Sequence, residues 1–121
     1  MALSTEQLDW LDETKEVRIE TSDGSRVTKT IIWIVVTEGV VYVRSVRGPE
    51  GRWYQRLLEN PEAAIDVNGR QVDFRAVPVV EQDEIDAVSD ALRDKYPPGG
   101  SLDRMTRDEV LDTTLRLQPI G

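Results

Sequence analysis

The chain has 121 residues, 39% hydrophobic and 31% charged, with neither cysteine nor histidine. That length suits a single domain over residues 1–121, and the missing residue types exclude a disulfide framework, a thiolate metal cage and the usual serine-hydrolase triad. A net charge of -8 argues against general nucleic-acid binding, which needs a basic surface.

The first predicted element is a helix opened by Ser4 and Gln7, a capping-box pair, with Leu3 and Leu8 placed for a hydrophobic staple and Trp10 and Leu11 on the apolar face. Residues 15–21 alternate, Val17 and Ile19 against Glu16, Arg18 and Glu20, as a half-buried strand does. Turn residues 22–25 lead into a β-branched run over 26–36, so these two strands should form a hairpin. Residues 31–36 are apolar on both faces, which expects this half in the core and the other near a surface or ligand. At six residues the run is too short to cross a bilayer. The N-terminal MALSTEQLDW lacks a signal-peptide pattern, so a cytoplasmic location without a membrane partner is expected.

A third strand over 40–46 puts Val41, Val43 and Ser45 on one face and Tyr42 and Arg44 on the other. After a Gly/Pro loop at 47–51, residues 52–60 read as a short helix with Trp53, Leu57 and Leu58 inward. Asn68-Gly69 joins strands 63–67 and 70–80 as a hairpin, with Val72, Phe74, Ala76 and Pro78 sharing a face. A helix over 82–96 carries Ile85, Val88 and Leu92 at helical spacing, with Asp83 as N-cap. Its acids Asp83, Glu84 and Asp86 lack the turn geometry of a calcium loop, so no metal site is expected. Pro97 to Gly100 break the chain, Thr106 and Glu109 offer a second capping box, and Leu115 and Leu117 mark a closing strand. About six strands joined by tight turns predict a mainly β, α+β protein: an antiparallel barrel with helices over its openings.

Charge is unevenly spread. Residues 26–57 hold Arg26, Lys29, Arg44, Arg47, Arg52 and Arg56 against Glu38 and Glu50, a local net of +4, so the rest of the chain carries -12. A basic island in an acidic chain suits a small anionic ligand and repels long polyanions, although a solvated face would give the same clustering. The segment 48–53 is neither a P-loop nor GxGxxG. Without His or Cys, the chemistry left open is that of a bound cofactor.

TKTIIWIVV at 28–36, VYVRS at 41–45, Gly48, RWY at 52–54, Leu57 and Asn60-Pro61 stand in an order and spacing that resembles the FMN-binding split β-barrel superfamily. The likeness is nearest to its deazaflavin-dependent nitroreductase-like side, including a poorly characterised bacterial branch. The resemblance implies a six-stranded split barrel, a homodimer, and FMN or the deazaflavin coenzyme in a groove near the subunit interface. It places Thr28, Lys29, Thr30, Ser45, Arg47, Gly48, Trp53 and Tyr54 at that groove. Lys29 and Arg47 would meet phosphate, Thr30 and Ser45 would donate hydroxyl hydrogen bonds, and Gly48 would let backbone amides approach. Lys29 points to the face opposite Thr28 and Thr30. Trp53 is divided between core anchor and cofactor contact, Trp33 and Tyr42 read as packing, Arg44 as a structural ion pair or dimer contact, and Arg52 and Arg56 as solvated. No catalytic acid or base stands out. Two functions follow: an oxidoreductase passing hydride to a small organic acceptor, or a non-catalytic cofactor carrier.

Overall fold

The computed structural model describes residues 3–22 and 26–120. Helix α1, Thr5–Glu13, starts as its sequence dictates: Gln7 N donates to Ser4 Oγ (3.1 Å) and Ser4 N to Gln7 Oε1 (2.9 Å). Strand β1, Glu16–Ser22, buries Val17, Ile19 and Thr21 and exposes the charges between them. It pairs antiparallel with β2, Val27–Trp33, in a register that sets Glu16 against Trp33 and Thr21 against Thr28. Residues 23–25 of the expected turn lie outside the described residues.

The second strand does not run unbroken to residue 36. It stops at Trp33 and resumes as β3, Val35–Thr37, so the sheet has seven strands where six were predicted. The interruption is Ile34, fully buried, whose backbone leaves the ladder for side chains of a distant helix. Ile34 N donates to Tyr96 Oη (3.1 Å), and Lys95 Nζ donates to Ile34 O (2.7 Å). A tight turn with Glu38 and Gly39 at positive φ leads into β4, Val40–Val43.

Beyond a 3-10 turn, Gly48–Glu50, come α2, Arg52–Glu59, and the strands β5, Glu62–Val67, and β6, Arg70–Pro78. Asn68 (φ 52°) and Gly69 (φ 83°) form their two-residue turn, as Asn-Gly favours. Helices α3, Gln82–Lys95, α4, Gly100–Thr106, and α5, Asp108–Leu111, precede β7, Leu115–Pro119. Strand order is β2-β1-β5-β6-β7-β4-β3, antiparallel throughout. The two edges, β2 and β3, are consecutive in the chain, so the curled sheet is joined at its split by Ile34 and not by a ladder.

Two apolar clusters follow. The barrel core gathers Ile19, Ile34, Val41, Ile65, Phe74 and Leu117 with Leu11 and Leu57 from the helices. On the other face of β3 and β4, Val35 and Tyr42 pack with Ile85, Val88, Leu92 and Tyr96 of α3 and with Leu102 and Met105 of α4. This two-sided burial is why residues 31–36 read as apolar on both faces, although Ile31 itself is exposed.

Several local expectations are corrected. Leu58 is exposed and Tyr54 buried in its place, because α2 turns positions 53, 54 and 57 inward. Pro78 is exposed, since β6 ends there and Val79 turns toward α3. Helix α3 takes Glu81 as N-cap with no side-chain cap bond, leaving Asp83 in the first turn, where its charge suits the helix dipole. Thr106 caps nothing: its hydroxyl donates back to Leu102 O (3.0 Å), and Arg107 precedes α5. Among the described residues no helix is long and apolar enough to cross a membrane.

Candidate functional site

The strand holding VYVRS ends at Val43, three residues before its predicted limit, because the next residues find partners outside the sheet. Ser45 N donates to Thr113 Oγ1 (3.0 Å), Ser45 Oγ to Gly48 O (2.8 Å), and Gly48 N back to Ser45 O (3.0 Å). Gly48 has φ 70°, and a Cβ there would stand 3.2 Å from Glu109 O, so glycine is required both by the turn and by its packing on α5. A Cβ at Gly51 would overlap Ser45 Oγ. The corner is thus closed on itself, and it aims residues 44–47 and the start of α2 at one cleft.

That cleft has a volume of about 600 Å³. One wall is β2, with Thr28, Thr30 and Ile32 from one face and Ile31 and Trp33 from the other; residues 44–47 form the floor, α2 supplies Arg52, Trp53 and Arg56, and α4 supplies Ser101, Arg104 and Met105. Five arginines line it (Arg44, Arg47, Arg52, Arg56 and Arg104), and Glu16 is the one carboxylate among the lining residues.

The arginines differ in what they do. Arg44 is buried and fully engaged: Nε donates to Thr114 Oγ1 (2.9 Å), Nη1 to Ser89 Oγ (2.9 Å) and Met105 O (3.0 Å), and Nη2 to Ile85 O (3.1 Å). No carboxylate pairs with it among the described residues, so the expected ion pair is replaced by a hydrogen-bond network tying β4 to α3, α4 and the entry to β7. Burial pulls its guanidinium down to about 10, with Arg93 adding to the shift and Asp86 opposing it. Arg56 is half-buried and reaches Thr21 Oγ1 at 3.5 Å, beside Thr28 across the β1–β2 ladder. Arg47, Arg52 and Arg104 are exposed and have no hydrogen-bond or ion-pair partner among the described residues.

Of the eight residues singled out from sequence, Thr28, Thr30, Ser45, Arg47 and Trp53 line the cleft. Lys29, Gly48 and Tyr54 do not. Lys29 lies on the opposite face of β2, 3.8 Å from Asp66. Gly48 is buried under α5, and Tyr54 sits in the barrel core, edge-on to Trp53 with its hydroxyl proton raised in pKa by burial. Trp53 is both things it was read as, 7% exposed within the core and lining the cleft. Ser45 lines the floor as an acceptor, since its proton is committed to Gly48 O. Trp33, read as packing, does stack on Tyr96 (centroids 3.8 Å, planes 3° apart) yet also borders the cleft. Arg52 and Arg56, read as solvated, share the cleft through their one-turn spacing on α2, a signal already visible in the basic island. Ser101 and Arg104 were missed because only the docking of α4 brings them there.

A curled antiparallel sheet, split at one residue and bordered by a cationic cleft, has the architecture of a split β-barrel. More narrowly, the chain belongs to the family described as uncharacterized proteins conserved in bacteria (DUF2255), whose model matches residues 7–117. Among solved structures, the fold is similar to HutZ, the heme storage protein from Vibrio cholerae, with TM-score 0.72 and 19% identity over 100% of this chain and 92% of that one. The FAD binding protein from Mycobacterium smegmatis gives 0.67 and 16% over 98% and 92%. An FAD-binding protein from Mesorhizobium loti gives 0.61 and 15% over 98% and 91%. At such identities the likeness shows a shared fold. No curated protein matches the chain.

Proposed function

We propose that the chain binds a phosphate-bearing flavin-class cofactor, FMN or the deazaflavin coenzyme, in this cleft and uses it in the cytoplasm to reduce a small organic acceptor. The observation that carries the reading is the grouping of Arg47, Arg52 and Arg56 in the lining of one cleft of a chain with net charge -8. Fixed guanidinium charges recognise a phosphate by charge-assisted, bidentate hydrogen bonds. Arg56 reaches Thr21 beside Thr28, Arg52 stands one turn before it on α2, and Arg47 lines the same cleft with the hydroxyls of Thr28 and Thr30. Trp33, Trp53 and Ile32 supply the apolar surface that a fused ring requires. The donor set therefore fits a planar ring with an anionic tail.

When bound, such a cofactor supplies hydride transfer. The protein's part is to bind and orient: Arg47, Arg52 and Arg56 hold the phosphate, Thr28 and Thr30 donate to its oxygens, and Trp53 shields the ring from solvent. No imidazole or thiol lines the cleft, so any proton required comes from Glu16 or water. The fold relatives described as FAD-binding support the cofactor class, and a homodimer with the cleft near its interface completes the reading. The histidine and cysteine that most often hold heme iron are missing from the sequence, which disfavours the heme role of HutZ here.

Titration of the purified chain with FMN, FAD and the deazaflavin, read by fluorescence, tests the proposal; binding at micromolar concentration is expected, and none with any of the three overturns it. A cofactor carrier is the second reading, favoured by the absence of an imidazole or thiol from the residues lining the cleft. Reduction of nitroaromatic, quinone or enone acceptors by the reduced holoprotein excludes the carrier, and tight binding without turnover establishes it. A strictly monomeric chain in light scattering removes the interface from the model.

A further inference from the structure

The cleft's positive charge is divided between two ends. Arg56 marks one, through its contact with Thr21, which lies opposite Thr28 in the β1–β2 register. Trp33 marks the other, five residues along β2, about 17 Å away at strand rise. Tyr96 stacks on Trp33, and Leu102 and Met105 of α4 pack in the same apolar cluster as Tyr96 and Trp33, which sets α4 at the Trp33 end. Arg104 lies along that helix toward its start: its Nη2 would be 3.9 Å from a Cβ on Gly100. Met105, the next residue, is anchored by Arg44, which takes its carbonyl (3.0 Å), so the helix presenting Arg104 is held in place from beneath.

A cofactor phosphate bound by Arg47, Arg52 and Arg56 leaves Arg104 without an anion, and no side chain among the described residues provides one. Glu16, paired with Trp33 across the ladder, is the one carboxylate among the residues lining the cleft, and it makes no ion pair with Arg104. The aromatic surface of Trp33 stands at the Arg104 end. We infer that Arg104 and Ser101 form a second anion subsite, which selects a planar acceptor bearing a carboxylate and seats its ring beside Trp33. The inference rests on the flavin-class reading of the Arg47 end. A guanidinium grips a carboxylate with two parallel N–H donors, and the Ser101 hydroxyl adds a third. Glu16 works against the same ligand, which tunes affinity and rejects acceptors with more than one negative charge at that end.

Equilibrium dialysis of the full chain with 4-nitrobenzoate and its neutral isostere 4-nitrobenzamide, with and without saturating FMN or deazaflavin, tests this. The acid should bind about tenfold more tightly than the amide. Arg104→Gln should abolish the preference while leaving the cofactor Kd within about twofold, and Glu16→Gln should strengthen binding of the acid alone. Equal binding of acid and amide overturns the subsite, and so does an Arg104→Gln loss of cofactor affinity as large as that of Arg47→Ala. Failure of the wild type to bind any cofactor overturns the flavin reading instead, and the cofactor-free arm then reports on the subsite by itself.

Discussion

Arg44 and Arg47 stand three residues apart in sequence and answer to different physics. Arg44 satisfies two hydroxyls and two carbonyls in the interior, so Arg44→Met strands buried polar groups and should lower unfolding free energy by about 3 kcal/mol in urea titrations. Arg47 is exposed and unpaired, so Arg47→Ala should leave stability within about 0.5 kcal/mol and weaken cofactor binding about tenfold. A reversal of the two effects would show that Arg44 is the ligand-facing cation. Gly51 makes a third claim at this scale. An alanine there displaces Ser45 Oγ from Gly48 O, which should cost about 1–3 kcal/mol, seen as a lowered Tm, and should also disturb the cleft floor.

Among the elements, the end of α3 carries the most distinctive arrangement. Lys95 Nζ donates to Leu11 O (3.2 Å) and Ile34 O (2.7 Å), the Tyr96 hydroxyl donates to Lys15 O, and both lysines lie over the Tyr96 ring at 5.6 and 5.5 Å. Burial pulls the Lys95 ammonium from 10.5 to about 8, with Asp12 opposing and Lys15 adding. Between about pH 8 and 9 the unfolded chain holds this proton and the folded chain does not, so stability rises with pH across that window. Tyr42 and Tyr96, raised to about 12 chiefly by burial, keep their protons in the folded chain while the unfolded phenols lose theirs near pH 10, so they oppose the rise above about pH 9. Urea midpoints at pH 7.5, 8 and 8.5 should climb for the wild type and stay level for Lys95→Met; a level wild-type series would place the lysine in solvent. This latch was illegible in the sequence. Ser4 with Gln7 and Asn68 with Gly69 could be read because their partners are three residues away or adjacent, whereas Ile34 leaves its strand for a hydroxyl 62 positions later. The second capping box failed because Thr106 is the last residue of α4, its hydroxyl donating to Leu102 O, and Arg107 holds the N-cap position of α5.

For the whole molecule, the charge pattern read along the chain became a charge pattern in space. Four of the five cleft arginines belong to the basic island at residues 26–57, so most of the candidate site was legible from composition, while Arg104 arrives from an acidic stretch by tertiary docking alone. A positive cleft in a negative molecule binds anions less well as salt screens it. Affinity for FMN should fall several-fold between 50 and 500 mM NaCl, while riboflavin, which shares the ring and lacks the phosphate, should change little. Parallel losses for both would mean that the ring and not the arginines governs binding. The junction at Ile34 bears on the same cleft. In a fully closed barrel the bore is set by strand number and shear, and nothing short of rupturing a ladder alters it. Here the two rims are successive parts of one strand path, so the aperture is governed by the torsions of a single residue clasped from outside by Tyr96 and Lys95. The spacing of the two rims is thereby tied to a helix end that lies outside the sheet.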